Sequence, residues 1–156
     1  MGFVSLVVVV VSSADARGSF ASPDFSDHPG FRSVWWAGSM PEGPVSWCSV
    51  RDDDIEVARA KVKPQSGVGV AYPTYSIPPD GATELDLIEV RKDLQGTGQH
   101  YGRAAVSCLV ESFGAPAVAM SLDEDSDGFW RALGWQEHVH EEDDGHRRLF
   151  SLGVSP

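Results

Sequence analysis

Residues 3–11 open the chain with an apolar run in which Val7, Val8, Val9, Val10 and Val11 follow one another. Side chains branched at Cβ crowd a helix and suit a pleated strand, so the run predicts a buried strand. Residues 12–30 lose periodicity and fill with Ser, Asp, Ala, Gly and Pro, the composition of a loop. Residues 31–38, which carry Trp35 and Trp36, read as a short helix or an aromatic-lined turn. Alternation of apolar and polar positions returns at 45–50 and 55–62, two strands joined through Asp52, Asp53 and Asp54. Pro and Gly punctuate residues 64–79, where Tyr72 and Tyr75 are available to line a pocket. A further strand at 85–90 places Leu85, Leu87 and Glu89 on one face. From about 98 to 113 the period lengthens, and Tyr101, Ala105, Cys108 and Leu109 fall on one helical stripe. Residues 117–122 form a strand, and 126–133 a short helix with Phe129, Trp130 and Leu133 apolar. The strands 135–140 and 147–152 close the chain as a hairpin around Asp143, Asp144 and Gly145.

This order predicts an α/β fold with a mixed sheet, not a strict alternation of parallel strands and helices. The chain has 156 residues, the size of one domain spanning 1–156, and shows neither repeats nor heptads. Hydrophobic residues at 42% and charged residues at 22% describe a folded protein, not a disordered one. With 23 acidic against 12 basic side chains the formal net charge is −11. That field repels nucleic acid and anionic membrane and attracts protonated amines, although solubility alone accounts for most of it.

Cys48 and Cys108 stand in no metal or redox spacing and read as free thiols of a reducing cytosol. Ala14, Asp15 and Ala16 have the small-x-small look of a signal-peptidase site, yet no Lys or Arg precedes Arg17. The apolar start therefore reads as a strand, and the expected location is cytoplasmic. His138 and His140 alternate onto one strand face with His146 across the hairpin, a spacing open to zinc. Their acidic, exposed setting favours a solvated hairpin, and no metal is expected.

Chemistry concentrates at residues 90–106. Val90 ends a strand; Arg91, Lys92, Asp93, Leu94 and Gln95 follow; Gly96, Thr97, Gly98, Gln99, His100, Tyr101 and Gly102 then turn into a helix. Glycines let main chain approach a ligand, and a helix start offers unpaired N–H groups at the positive dipole end. Together these suit a phosphate or pyrophosphate, and Arg91, Lys92 and Arg103 put positive charge beside it in an otherwise acidic chain. The same glycines fit a dinucleotide-binding turn. Against that, five mostly polar residues separate Val90 from Gly96, and the chain is too short and hairpin-rich for two Rossmann halves.

The stretch from Val90 through Gly98 resembles the cofactor motif of the GNAT superfamily of N-acetyltransferases. In that motif a strand ending in Val leads through polar residues to Arg/Gln-x-x-Gly-x-Gly/Ala at a helix start. Gln95 takes the Arg/Gln place; in strand register His100 takes the last glycine's place, whereas in helix register Tyr101 to Ala104 closes the motif after an insertion. A second segment, Phe129, Trp130, Arg131, Ala132, Leu133, Gly134 and Trp135, resembles the family's Phe-Tyr-x-x-x-Gly-Phe. The two together cover roughly residues 45–152; residues 1–44 match poorly.

The resemblance implies a twisted, mostly antiparallel mixed sheet of six to seven strands flanked by helices. It implies transfer of an acetyl group from acetyl-CoA to a primary amine of a small molecule or peptide by direct attack. No metal, no nucleic-acid or membrane partner, and a monomer or homodimer are expected. The implied cofactor residues are Ile88, Val90, Arg91, Gln95, Gly96, Thr97, Gly98, Gln99, His100, Tyr101, Gly102, Arg103, Phe129 and Trp130. Glu89 is the candidate base, with Glu84 and Asp86 weaker candidates. Trp130 replaces the tyrosine that often serves as the acid, which leaves Tyr101, Ser126 or solvent to protonate the thiolate. Asp123 replaces a common Asn. These departures keep a second reading open, a GNAT-like acyl-CoA-binding sensor or partner module without catalysis, and a nucleotide-binding module is a third.

Overall fold

A computed structural model of the chain describes residues 5–14, 23, 25–37, 44–96, 100–143 and 145–153. The strands are β1 (Leu6–Ala14), β2 (Val45–Asp52), β3 (Ile55–Ser66), β4 (Ala82–Val90), β5 (Ala117–Met120), β6 (Gln136–His138) and β7 (Leu149–Leu152). The helices are α1 (Tyr101–Phe113) and α2 (Glu124–Ala132), with single 3-10 turns at Ser33–Trp36 and Lys92–Leu94. This is the element order expected from the sequence. The seven strands form one sheet in the order β1-β2-β3-β4-β5-β7-β6, antiparallel except where β4 meets β5. Among the described residues no helix is long and apolar enough to cross a membrane.

Alternation along each strand gives the sheet two apolar faces. On one, Cys48, Val50, Ala58, Ala60, Val62 and Leu85 meet Ala105, Val106 and Leu109 of α1 and Trp130 of α2. On the other, Val45 and Trp47 pack under Phe31 and Trp36, and farther along Val118 and Leu149 pack under Tyr72. Both cysteines are free, as expected; burial pushes the Cys48 thiol up to about 12.

Register irregularities decide where side chains point. In the β1–β2 pair Val10 faces Cys48 but Ser12 faces Trp47, so Val11 is an extra residue. Leu6 and Val8 thus join the first cluster while Val11 and Ala14 join the second. In the β3–β4 pair Lys61 faces Leu87 and Val62 faces Leu85, which makes Asp86 the extra residue. The bulge corrects the expected alignment of Leu85 with Leu87 and Glu89. Leu85 lies in the α1 cluster, whereas Leu87 packs against the Trp36 cluster and Glu89 bonds to Trp36 itself. Asp86, put out of line by the bulge, pairs with Lys61 at 3.4 Å and Lys63 at 4.0 Å.

A buried arginine fixes the segment that precedes β2. The Arg59 guanidinium lies over the rings of Phe25 and Phe31, 4.5 and 4.2 Å from their centroids. It donates to Glu56 Oε1 and to the Ser26 carbonyl. A cation this buried needs both its carboxylate and its remaining acceptors, so the contacts tie residues 25–31 onto the sheet. The turn carrying Arg32, Trp35 and Trp36 is thereby set beside the end of β4.

Candidate active site

β4 and β5 pair only at their beginnings, Thr83 with Ala117 and Glu84 with Val118. Beyond those pairs the parallel strands separate, and a cleft of ≈ 430 Å³ lies between them. Leu85 to Val90 form one wall; Met120, Leu122 and Asp123 form the other. Phe129 and Trp130 of α2 close the side toward the core, and Arg32 and Trp35 stand at the rim. The start of α2 is set by Asp123, whose side chain accepts from Ser126 N–H at 2.9 Å. That backbone N–H bond holds the Asp123 carboxyl below the usual carboxylate range.

Glu89 lies on the β4 wall and is buried. Its Oε1 accepts from the Trp36 indole N–H and from the Arg32 main-chain N–H, both at 2.9 Å. Oε2 has a longer contact, 3.5 Å, to Arg32 Nε, and the Arg32 guanidinium also lies 4.3 Å above the Trp35 ring. One oxygen is therefore held by two neutral donors, while the other has only the longer contact to Arg32. The alternative carboxylate, Glu84, is buried under Ser66, which donates to it at 2.6 Å; it does not line the cleft. Burial raises its carboxyl above the usual range, against the Ser66 bond and Lys63.

The structure does not bring the two catalytic candidates together. Tyr101 begins α1 but lies off the cleft, and its hydroxyl donates to Asp52 Oδ2 at 2.9 Å. That bond raises the phenol above its ordinary value, making it a poorer acid. Ser126 and Trp130 do line the cleft. Of the aromatics considered for an acceptor pocket, Trp35 is at the rim and Trp36 holds Glu89, while Trp47 and Tyr72 are core. Tyr75 packs on His138.

Of the implied cofactor residues, Ile88, Val90, Gln95, Phe129 and Trp130 line the cleft. Gln95 is pinned there, donating from Nε2 to the Val90 carbonyl at 2.8 Å. Gly96 takes a left-handed φ of 71°, and His100, the residue before α1, one of 55°. Thr97, Gly98 and Gln99 lie outside the described residues. The first bond of α1 runs from Ala104 N–H to the His100 carbonyl at 3.1 Å, so the N–H groups of Tyr101, Gly102 and Arg103 precede the ladder.

Charge at this helix start is less than the sequence suggests. Arg91 is bound by Asp93 at 2.7 and 3.1 Å and donates to the Glu56 carbonyl. Arg103 reaches across to the Ala132 carbonyl, and Lys92 is exposed with no carboxylate partner among the described residues. Gly102 also differs from expectation. A Cβ there would stand 3.0 Å from Phe129 Cε2 and 3.6 Å from Val90 Cγ2. This glycine admits α2 rather than a ligand, and it is where the two sequence motifs touch. Asp86, a weaker candidate for the base, also lines the cleft, while Arg32, Met120, Leu122 and Asp125 are cleft residues that sequence reasoning missed; no periodic or motif signal marks them.

No family model matches the sequence, and no curated protein does. Solved structures do. The KacTA–DNA complex contains a chain that superposes with a TM-score of 0.57 at 15% identity, over 95% of this chain and 92% of that one. An acetyltransferase from Thermus thermophilus superposes at 0.45 and 17% identity over 70% of this chain, which spans 64% of that protein's length. AtaTR bound with acetyl-CoA superposes at 0.46 and 14% identity, over 68% and 69% of the two chains. The first of these spans nearly the whole of both molecules. The chain has the mixed α/β fold of the GNAT superfamily of acetyltransferases.

Proposed function

We propose that the protein is an N-acetyltransferase that moves an acetyl group from acetyl-CoA to a primary amine of a small molecule or peptide. One observation carries this reading: the separation of β4 from β5 opens a cleft with an oriented carboxylate, Glu89, on its wall. The pantetheine arm enters between β4 and β5, with Ile88, Val90, Phe129 and Trp130 about it. The pyrophosphate rests beside Gln95, Gly96 and His100 and on the first N–H groups of α1, with Thr97, Gly98 and Gln99 its further candidates from the sequence motif alone. Arg103 and Lys92 supply the nearby positive charge, while Arg91 is spent on Asp93. A main-chain N–H at the end of β4 receives the thioester oxygen as it becomes an oxyanion.

In this reaction the amine nitrogen attacks the thioester carbonyl carbon. The C–N bond forms, the C–S bond breaks, and CoA leaves as thiolate. The proton lost by the amine goes to Glu89 Oε2, directly or through a water. The thiolate is protonated from solvent, with the Ser126 hydroxyl as the cleft's hydrogen-bond donor. Tyr101 is not given this role because its hydroxyl is committed to Asp52. Acceptors of positive charge fit a cleft lined by Asp123 and Asp125 in a chain of net charge −11. A net charge of −11 disfavours a phosphate backbone as the acceptor.

The test is release of free CoA thiol from acetyl-CoA across a panel of polyamines, amino sugars and lysine peptides, with acetylated product identified by mass. Trp130 in place of the usual tyrosine favours the second reading, an acyl-CoA-binding module. Saturable binding of acetyl-CoA with no thiol release from any amine would select it.

A further inference from the structure

The hairpin between β6 and β7 carries a cluster that the proposed reaction does not use. His140, Glu142 and His146 each offer one ligand atom, and these atoms lie within 4.8 Å of one another. From this cluster we infer that the hairpin is a binding site for one borderline divalent cation of the Zn²⁺ class, held by two imidazoles and a carboxylate. The inference revises the expectation of no metal. It also corrects the pairing of His138 with His140, because the two do not share a site. His138 is buried in β6 between Thr74 Oγ1 and Ser151 Oγ, each 2.7 Å from a ring nitrogen, whereas His140 lies past the strand's end.

The donor set is the one that such ions select, nitrogen with oxygen. His146 Nε2 stands 3.3 Å from Glu142 Oε2. Two ligands with bonds of ~2.05 Å at a tetrahedral angle are ~3.3 Å apart, so an ion can replace the proton shared by this pair. The His140 ring lies parallel to His146, with centroids 3.5 Å apart and planes 5° apart, and a ring nitrogen of each lies within 4.8 Å of the other. Lone pairs lie in the ring planes, so coordination turns one ring out of the stack. His146 can do this because it is exposed, while Tyr72 packs edge-on against His140 at 5.3 Å and holds it.

The frame around the site is already built. Glu141 N–H donates to the Ala71 carbonyl at 2.8 Å, and the Tyr72 hydroxyl donates to the Arg147 carbonyl at 2.7 Å. Both arms of the hairpin are thus tied to one neighbouring loop. Two hydrogen bonds give way on coordination, that of His146 with Glu142 and that of Glu142 N–H with His140 Nδ1 at 3.1 Å. None of the three ligands lines the β4–β5 cleft, so the ion would clip the hairpin and leave the reaction alone.

Equilibrium dialysis of the full chain against Zn²⁺, paired with the visible spectrum of the Co²⁺ form, tests the site. The expected result is one ion per chain, with the intense absorption of four-coordinate cobalt. His140→Gln and His146→Ala should each weaken binding at least tenfold, since losing even an outer-sphere partner typically weakens a metal site by ~10–100-fold. Zn²⁺ should raise the melting temperature of the native chain and not that of His146→Ala, whose exposed position leaves folding intact. Absence of Zn²⁺ binding, or binding of the same strength in both variants, overturns the inference.

Discussion

Replacing Glu89 by Gln separates a catalytic carboxylate from one that merely anchors the Trp36 turn. The amide keeps an oxygen where Oε1 now accepts from Trp36 Nε1 and Arg32 N, both at 2.9 Å. What it loses is charge. A hydrogen bond to a charged group contributes ~1.5–3 kcal/mol and a neutral one ~0.5–1.5, so two such bonds together lose about 2 kcal/mol. The Arg32 ion pair adds little, because at 65% exposure its guanidinium is screened and such pairs contribute about 0–1 kcal/mol. Relief from burying a charge acts in the opposite direction. Stability should therefore fall by about 1–2 kcal/mol, lowering Tm by roughly 2–8 °C for a chain of this size. The chain stays folded, since domains carry about 5–15 kcal/mol.

Loss of a general base should lower kcat/KM by about 10²–10⁴, or ~2.7–5.4 kcal/mol of barrier. Thiol-release kinetics and thermal melts on the same preparation measure both quantities. Acetyl-CoA affinity should hold while turnover collapses. A variant that melts lower but turns over within about threefold of the native chain would refute the base assignment and leave Glu89 as an anchor.

Gly102→Leu should drive a side chain into Phe129, whose ring already lies 3.0 Å from the ideal Cβ position; calorimetry should show weaker acetyl-CoA binding, and melts a loss of about 1–3 kcal/mol. His138 carries its own pH dependence, because burial lowers its imidazole below the ordinary value of 6.5 and the folded state favours the neutral ring. The unfolded chain then binds more protons just below that value, so this contribution is complete above it and is lost as pH falls. Melts from pH 8 to 5 should show the fall, and His138→Asn should flatten it; an unchanged slope would put its origin elsewhere. Both cysteine thiols are raised by burial, Cys48 to about 12, so a disulfide reagent at pH 8 should label the native chain slowly and the guanidinium-unfolded chain twice. Rapid labelling of Cys48 in the native chain would contradict its burial.

The elements were legible because each has its own local signal: five valines for β1, turn residues at Asp53 and Asp54, a longer period for α1. The Asp86 bulge left no such mark. Leu85 and Leu87 alternate perfectly in sequence, and only pairing with β3 shows that an inserted residue parts them. The Glu89–Trp36 bond joins residues 53 apart, and it depends on Arg59 drawing an irregular segment onto the sheet. Local pattern does not reach that far. Gly102 shows the opposite difficulty, a motif glycine whose position was legible and whose use was not, because the partner that requires it is Phe129 in a second helix. The tyrosine at 101 likewise kept its expected place at the helix start, while Asp52, on a distant hairpin, decided what its hydroxyl does.

Acetyl-CoA binding within the β4–β5 cleft is the claim on which the rest depends. Isothermal titration of acetyl-CoA into the native chain and into Met120→Trp, which fills the β5 wall, tests it most directly. A single saturable site is expected in the native chain, and its loss in the variant. Equal binding by both chains, or binding of NADPH with none of acetyl-CoA, would contradict it.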